Sequence, residues 1–113
     1  MSEKIVKANE AAETAENTGV GTYVFKKPTK IDGEEVKEIN YDFNIINGAA
    51  IRDIRTELGK RAYAVSVPEI DQVFQAAMFA HASGITLDNV EAFALRDFMN
   101  VTELARDFLL AED

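Results

Sequence analysis

TYVFKKPTKIDGEEVKEINYDF, residues 22–43, is the stretch that decides the fold class of this chain. Its two flanks, residues 22–27 and 35–43, are rich in β-branched and aromatic side chains, which favour strands. Between them, Pro28 and the pair Asp32-Gly33 supply turn conformations. The stretch therefore predicts a β-hairpin. Because a lone hairpin is barely stable, its apolar face is expected to lie on helices.

The second predicted strand alternates between apolar and polar residues, with one break. Ile39, Tyr41 and Phe43 share one face, but Val36 is out of phase with them. We therefore expect either a β-bulge near Lys37 or a strand that starts later than residue 35.

A first helix is predicted over residues 48–62, with Asn47 as its N-cap. Its apolar stripe, at helical spacing, is Ile51, Ile54, Leu58 and Ala62. The same segment is the basic helix of the chain, with Arg52, Arg55, Lys60 and Arg61.

A second helix is predicted over residues 67–83. Ser66, Pro68 and Glu69 form a capping-box pattern with an early proline, and Gly84 supplies a helix stop. The face expected to be buried is Ile70, Val73, Phe74, Ala77, Met78 and His81.

The rest of the chain predicts two more helical segments. Thr86 or Asp88 begins a short turn over residues 88–93, and a final helix follows over residues 95–111. The core stripe of this last helix is Phe98, Val101, Ala105, Phe108 and Leu109, widened by Leu95 and Leu104.

These elements predict an α+β fold in two parts. Residues 1–21, which are small, polar and acidic, are expected to be a disordered tail. Residues 22–113 are expected to be a single domain in which one β-hairpin packs on a small bundle of three to four helices. A chain of 113 residues with 47% hydrophobic content has room for one modest core.

Composition excludes several classes of function. A net charge of -8 argues against nucleic acid as a partner, because phosphate binding requires clustered Lys and Arg. A chain without cysteine has no disulfide and no thiolate metal site. No apolar run reaches the roughly 18 residues of a membrane helix, and the N-terminus lacks the layout of a signal peptide. We expect a soluble, cytosolic protein with no membrane partner.

The sequence offers little for catalysis. His81 is the single histidine, and a structural role is expected for it because no partner base or metal ligand accompanies it. Asp97 lies at the edge of an apolar stripe; it is either a perturbed acid or, as we favour, a carboxylate that reaches solvent or caps a neighbour. The glycines of Gly19-Val20-Gly21 precede a strand and form no phosphate loop. We predict no catalytic residue, no cofactor, no metal site and no enzymatic activity.

The candidate binding residues are apolar side chains that leave the core stripes. Phe79 points away from Ile70, toward a face of glutamine and alanine, and Met99 and Leu110 leave the stripe of the last helix. Exposed apolar side chains of this kind mark partner sites, so Phe79, Met99 and Leu110 are predicted to bind a partner. The alternative is that helices covered on two sides bury them.

Three pieces of sequence together resemble a known family. They are the turn FKKPTKIDG, the alanine-rich segment VFQAAMFAHASG and the closing pattern LRDFMNVTELARDFLL. In this order, over residues 23–110, the chain resembles the small tail assembly chaperones of long-tailed phages and prophages. Its first 20 residues are longer and more acidic than in that family, and no role is carried over to them.

The resemblance implies a non-enzymatic protein that acts during virion assembly in the cytoplasm of the bacterial host. Members of the family bind the tape measure protein, a very long helical chain, and keep it soluble until the tail tube polymerises around it. They are then absent from the finished tail. The resemblance also implies self-association and a longer, frameshifted form as a partner, and a chain that ends at Asp113 is expected to be the short form.

Three other functions stay open from the sequence. The first is a structural or adaptor component that remains in the phage tail. The second is an acidic DNA mimic, against which the mixed charges of residues 48–62 weigh. The third is an enzyme, for which an acid/base pair is lacking.

Overall fold

The computed structural model of the chain describes residues 19–111, and the fold is α+β as predicted. Strands β1 (Val20–Ile31) and β2 (Glu34–Asp42) form one antiparallel hairpin. They are followed by α1 (Gly48–Lys60), α2 (Gln72–Ser83), α3 (Leu87–Glu91) and α4 (Leu95–Leu110), with 3-10 turns at Phe43–Ile45 and Pro68–Ile70.

The boundaries of the predicted tail need one correction. Residues 1–18 of that tail lie outside the described residues, as do Glu112 and Asp113. Val20 and Gly21 belong to β1, so the hairpin begins before residue 22.

The hairpin turn is tighter than the sequence indicated. Ile31 pairs with Glu34, so only Asp32 and Gly33 form the loop, with φ angles of 53° and 88°. Two successive positive φ angles match the right-handed twist of the flanking strands, which is why Asp-Gly is favoured here. Pro28, predicted to be in the turn, lies inside β1.

The predicted irregularity near Lys37 is confirmed, and the extra residues are on β1. Between the pairs Val24↔Glu38 and Thr29↔Val36, β1 contributes residues 25–28 while β2 contributes Lys37 alone. This shift lets both Val36 and Ile39 pack on the core despite their odd spacing. Pro28 fits the bulge because it has no N–H to offer to the ladder.

The predicted caps of two helices are confirmed. The side chain of Asn47 accepts from the N–H of Ala50 at 3.0 Å to start α1, and Thr86 accepts from the N–H of Asn89 at 3.2 Å to start α3. Helix α1 ends at Lys60 instead of residue 62, because the exposed Ala62 has a φ angle of 61°. Ala62 is therefore not part of the core stripe.

The predicted start of the second helix is wrong. Pro68–Ile70 is a separate 3-10 turn, and the chain is extended at Asp71 before α2 begins at Gln72. Asp71, not Ser66, caps α2 by accepting from the N–H of Phe74 at 2.9 Å. Ile70 consequently lies outside the helix and is 81% exposed instead of buried.

Helix α2 is the centre of the fold. It contacts α1, α3, α4, β2 and both 3-10 turns, and every residue from Phe74 to Ala80 is buried. It ends as predicted at Gly84, whose φ angle of 76° stops the helix. His81, predicted on the buried face, is exposed.

Helix α4 closes the core largely as predicted. Val101 and Ala105 are buried, and the residues packed partly against the core are Phe98, Leu104, Phe108 and Leu109. Leu95 does not widen this stripe, because it is the first residue of α4 and is 75% exposed.

Candidate partner-binding surface

Asp97, singled out from the sequence, joins α4 to the hairpin. It is fully buried, and its carboxylate accepts from the backbone N–H groups of Lys26 at 2.7 Å and Lys27 at 3.1 Å. Tyr23 donates its hydroxyl to the same carboxylate at 2.5 Å and accepts from Asn100 at 3.0 Å. The expectation that Asp97 reaches solvent is wrong, and the alternative that it caps a neighbour is right: it caps the bulge.

The electrostatics of Asp97 fit a structural role, in which its carboxylate holds the hairpin on α4. Burial alone opposes ionisation of this carboxyl, but the hydrogen bonds from Tyr23, Lys26 and Lys27 outweigh it and hold the pKa of Asp97 below its ordinary value. Burial and the hydrogen bond to Asp97 together raise the pKa of Tyr23 to about 12. The pair is an ionised acceptor and a neutral donor, and Asp97 is not a perturbed general acid.

Little in the described part of the chain suggests metal chemistry. His81 lines a cleft between α1, α2 and α3, but residues 19–111 hold no group of three or more His, Asp or Glu placed to bind a metal ion. Nor does any helix within residues 19–111 combine the length and the apolar character that crossing a bilayer requires.

Phe79, the first predicted binding residue, is part of the core. Its exposure is 0%, and its ring lies 5.6 Å from that of Tyr41, 6.3 Å from that of Phe43 and 6.5 Å from that of Phe93, between centroids. The premise of the prediction that Phe79 binds a partner, an exposed side chain, is therefore wrong. The alternative was correct for α2, because the hairpin covers one of its sides and other helices cover the rest.

Met99 and Leu110, the other two predicted residues, are at the surface. Met99 is 45% exposed and Leu110 is 56% exposed. Leu95 lies one turn before Met99 on the same side of α4, and Arg106 lies on that side between Met99 and Leu110. One face of α4 therefore carries three large aliphatic residues, Leu95, Met99 and Leu110.

The N-terminal end of α2 extends this face. The side-chain amide of Gln72 lies 3.1 Å from the Sδ of Met99 and 3.1 Å from the Oγ1 of Thr102. The 3-10 turn before it packs against α4, and the last residue of that turn, Ile70, is exposed. We call Ile70, Leu95, Met99 and Leu110 the α4 surface.

A shallow polar groove adjoins the α4 surface at Met99. It has a volume of about 290 Å³ and is lined by Gln72, Gln75, Arg96, Met99, Asn100, Thr102, Glu103 and Arg106. Arg106 lies 4.0 Å from Glu103 and 3.7 Å from Asp107, distances typical of loose, solvent-exposed ion pairs. The groove thus offers amide, hydroxyl and charged groups beside the aliphatic side chains.

Sequence reasoning missed Ile70 and Leu95 as members of this surface. Both were assigned to core stripes. The predicted second helix began before the true start of α2 and so included Ile70, and Leu95 fitted the stripe of α4. The exposed position of Leu95 has a sequence signal, since it is the first helical residue and has no preceding turn to pack beside it.

The comparisons with known proteins give no relative. No family model matches the chain, and no curated protein and no solved structure is significantly similar to it.

Proposed function

We propose that this chain binds an apolar helical segment of a larger protein, and that it is a tail assembly chaperone whose client is the tape measure protein of a long-tailed phage. The observation that supports the proposal is the α4 surface. Its four aliphatic side chains, Ile70, Leu95, Met99 and Leu110, are 81%, 75%, 45% and 56% exposed, and the last three share one face of α4. The identity of the client rests on the sequence resemblance.

The chemistry of the α4 surface suits reversible binding of a helix. Aliphatic side chains grouped at the surface favour association with apolar segments, and the flexible thioether of Met99 adapts to varied packing. The polar groove keeps the patch discontinuous, so contact with a client is not a fully apolar interface. A chaperone has to release its client, and an interface of mixed character supports release.

The charge of the whole chain supports the same role. A net charge of -8 discourages precipitation of the chain while several copies of it coat one long client. In this proposal the protein acts in the cytoplasm of the bacterial host and leaves the tail before the virion is complete.

Co-expression with a tape measure fragment tests the proposal. In a Leu95→Lys/Met99→Lys variant, both changed residues are already exposed, so the fold is expected to persist while client solubility and co-purification are lost. Val24→Lys is the matched control, because Val24 is 62% exposed on the hairpin and is not a member of the α4 surface. Equal co-purification of wild type, double variant and control would contradict the proposal.

Mass spectrometry of purified tails separates the two phage functions. A chaperone is absent from the particle, whereas a structural or adaptor component is present in a fixed number of copies. Detection of the chain in finished tails at a fixed copy number would contradict the chaperone function and favour the structural or adaptor function.

A further inference from the structure

A second concave surface lies between α1, α2 and α3 and shares no residue with the α4 surface. It is a cleft of about 420 Å³. The apolar residues that line it are Ile54, Ala77, Ala80, Ile85 and Leu87. Asp53, Glu57 and Asp88 are exposed at its rim, together with Arg61 and His81. The cleft thus combines an apolar floor with a mainly acidic rim.

Arg61 neutralises only part of this rim. Its guanidinium lies 3.2 Å from Glu57, 3.0 Å from Asp88 and 3.9 Å from Glu91, so one positive charge serves three carboxylates. Asp53 makes no ion pair with any residue in the range 19–111. The rim retains negative charge that a cationic, partly apolar ligand complements.

We propose that the ligand of this cleft is a segment of the same chain, Lys4-Ile5-Val6-Lys7. Ile5 and Val6 are the β-branched apolar residues of the first 18 positions, and Lys4 and Lys7 are the only basic ones. An apolar pair between two lysines matches an apolar floor between carboxylates. Ile5 and Val6 contact the floor, and the two ammonium groups face Asp53 and the Glu57–Asp88 side of the rim.

The connecting chain has a reach close to the longest dimension of the fold. Lys7 and Gly19 are twelve positions apart in the sequence, a distance of up to about 40 Å when the chain is extended. The longest dimension of the fold is 43 Å, and the cleft lies within it. A covalent link of this length gives an effective concentration in the millimolar range, so even a weak contact is populated.

Charge favours the cleft over the other surfaces described above. The groove of the α4 surface is lined by Arg96 and Arg106 against a single carboxylate, Glu103. The hairpin exposes Lys26, Lys27 and Lys30. The two arginines of that groove repel a segment that carries two lysines, and the hairpin also exposes Asp32, Glu34, Glu35 and Glu38 and so has no basic excess, whereas the rim of the cleft attracts the segment.

Paramagnetic relaxation in the full-length protein tests the proposal. The chain has no cysteine, so Ser2→Cys places a single nitroxide label beside Lys4-Ile5-Val6-Lys7 without altering them. We expect strong broadening of the amide signals of Ile54, Ala77 and Ile85, and little at Met99. Adding Lys4→Glu/Lys7→Glu is expected to reduce the broadening several-fold, while the matched control Lys4→Arg/Lys7→Arg preserves it.

Two further samples make the result decisive. Asp53→Lys combined with Lys4→Glu is expected to restore part of the broadening, since the pair of charges is reversed. The second sample mixes spin-labelled molecules that carry no isotope with isotopically enriched molecules that carry no spin label. This mixture is expected to show no broadening. Broadening at the α4 surface, broadening that is insensitive to the charge changes, or broadening in the mixture would each overturn the proposal. None of these outcomes depends on a client, so the result is independent of the proposed chaperone function.

Discussion

The hydroxyl of Tyr23 on β1 donates to the carboxylate of Asp97 on α4, 74 positions away in the sequence. The same carboxylate accepts hydrogen bonds from the backbone N–H groups of Lys26 and Lys27. These residues lie in the bulge, where β1 has no register partner on β2. Buried or half-buried N–H groups require an acceptor, and Asp97 supplies it. One side chain of α4 therefore holds the irregular part of the hairpin on the helices.

Asp97→Asn is expected to destabilise the fold by about 2–3 kcal/mol. An amide has one acceptor oxygen and no charge, so it cannot accept from Tyr23, Lys26 and Lys27 together, and hydrogen bonds to charged groups contribute more than neutral ones. Urea unfolding measures the change. Asp107→Asn is the control, since the side chain of Asp107 is 55% exposed on the same helix and its change is expected to stay within about 0.5 kcal/mol. Similar values for the two variants would contradict the anchoring role.

Stability at low pH should depend on the same residue. The pKa of Asp97 is lower in the folded protein than its ordinary value, so its contribution is complete above the unfolded pKa of about 3.9 and is lost as pH falls through the folded pKa. The free energy of unfolding of the wild type is expected to fall more steeply below about pH 4 than that of Asp97→Asn. Parallel curves for the two proteins would show that Asp97 titrates normally.

At high pH, Tyr23 is expected to act in the opposite sense. Its folded pKa is raised to about 12, so its contribution is complete below the unfolded pKa of about 10 and is lost as pH rises toward 12. Ultraviolet absorbance should show one tyrosine ionising near the top of this range, and Tyr23→Phe should remove that step. Tyr63→Phe is the comparison, because Tyr63 bonds to Asp71 at the surface. If Tyr63→Phe removes the latest step instead, the assignment to Tyr23 is wrong.

Phe79→Ala is expected to cost about 3–5 kcal/mol, because it removes a fully buried ring from among three other aromatic rings. Met99→Ala is the matched control and should cost less than about 1 kcal/mol, since Met99 is 45% exposed. Thermal or chemical unfolding measures both. A small loss at Phe79 would restore it as a surface residue and reopen its assignment as a binding residue.

Local sequence chemistry predicted the parts of the fold that depend on neighbouring residues. Asp32-Gly33 predicted the turn, the phase break between Val36 and Ile39 predicted the irregular register, and Asn47 predicted the start of α1. Each of these features is decided within a few positions of the chain. The anchor at Asp97 was not predictable in this way, because its donors lie 70 to 74 positions away.

The misassignment of Phe79 had a signal that a helical wheel does not use. The sequence of α2, QVFQAAMFAHAS, is apolar on nearly every side, and a helix of this kind is central and buried all round. The helical-wheel prediction assumed a single buried face and oriented that face by Ile70, which lies outside the helix. The same early start removed Ile70 from the candidate surface, so half of the α4 surface was predicted and half was found in the structure.

The start of α2 is set by Asp71 and not by the capping box at Ser66 that the sequence predicted. Ser66 has a glutamate three residues later, but it gives no helix cap; Asp71 accepts from the N–H of Phe74 and from the hydroxyl of Tyr63 at 3.0 Å. Asp71→Ala should therefore cost about 1–2 kcal/mol, and Ser66→Ala should be close to neutral. Urea unfolding of the two variants measures this, with helical circular dichroism as a check that α2 persists. If Ser66→Ala proves the more harmful change, α2 begins where the capping box predicted, and the exposed position of Ile70 in the α4 surface fails with it.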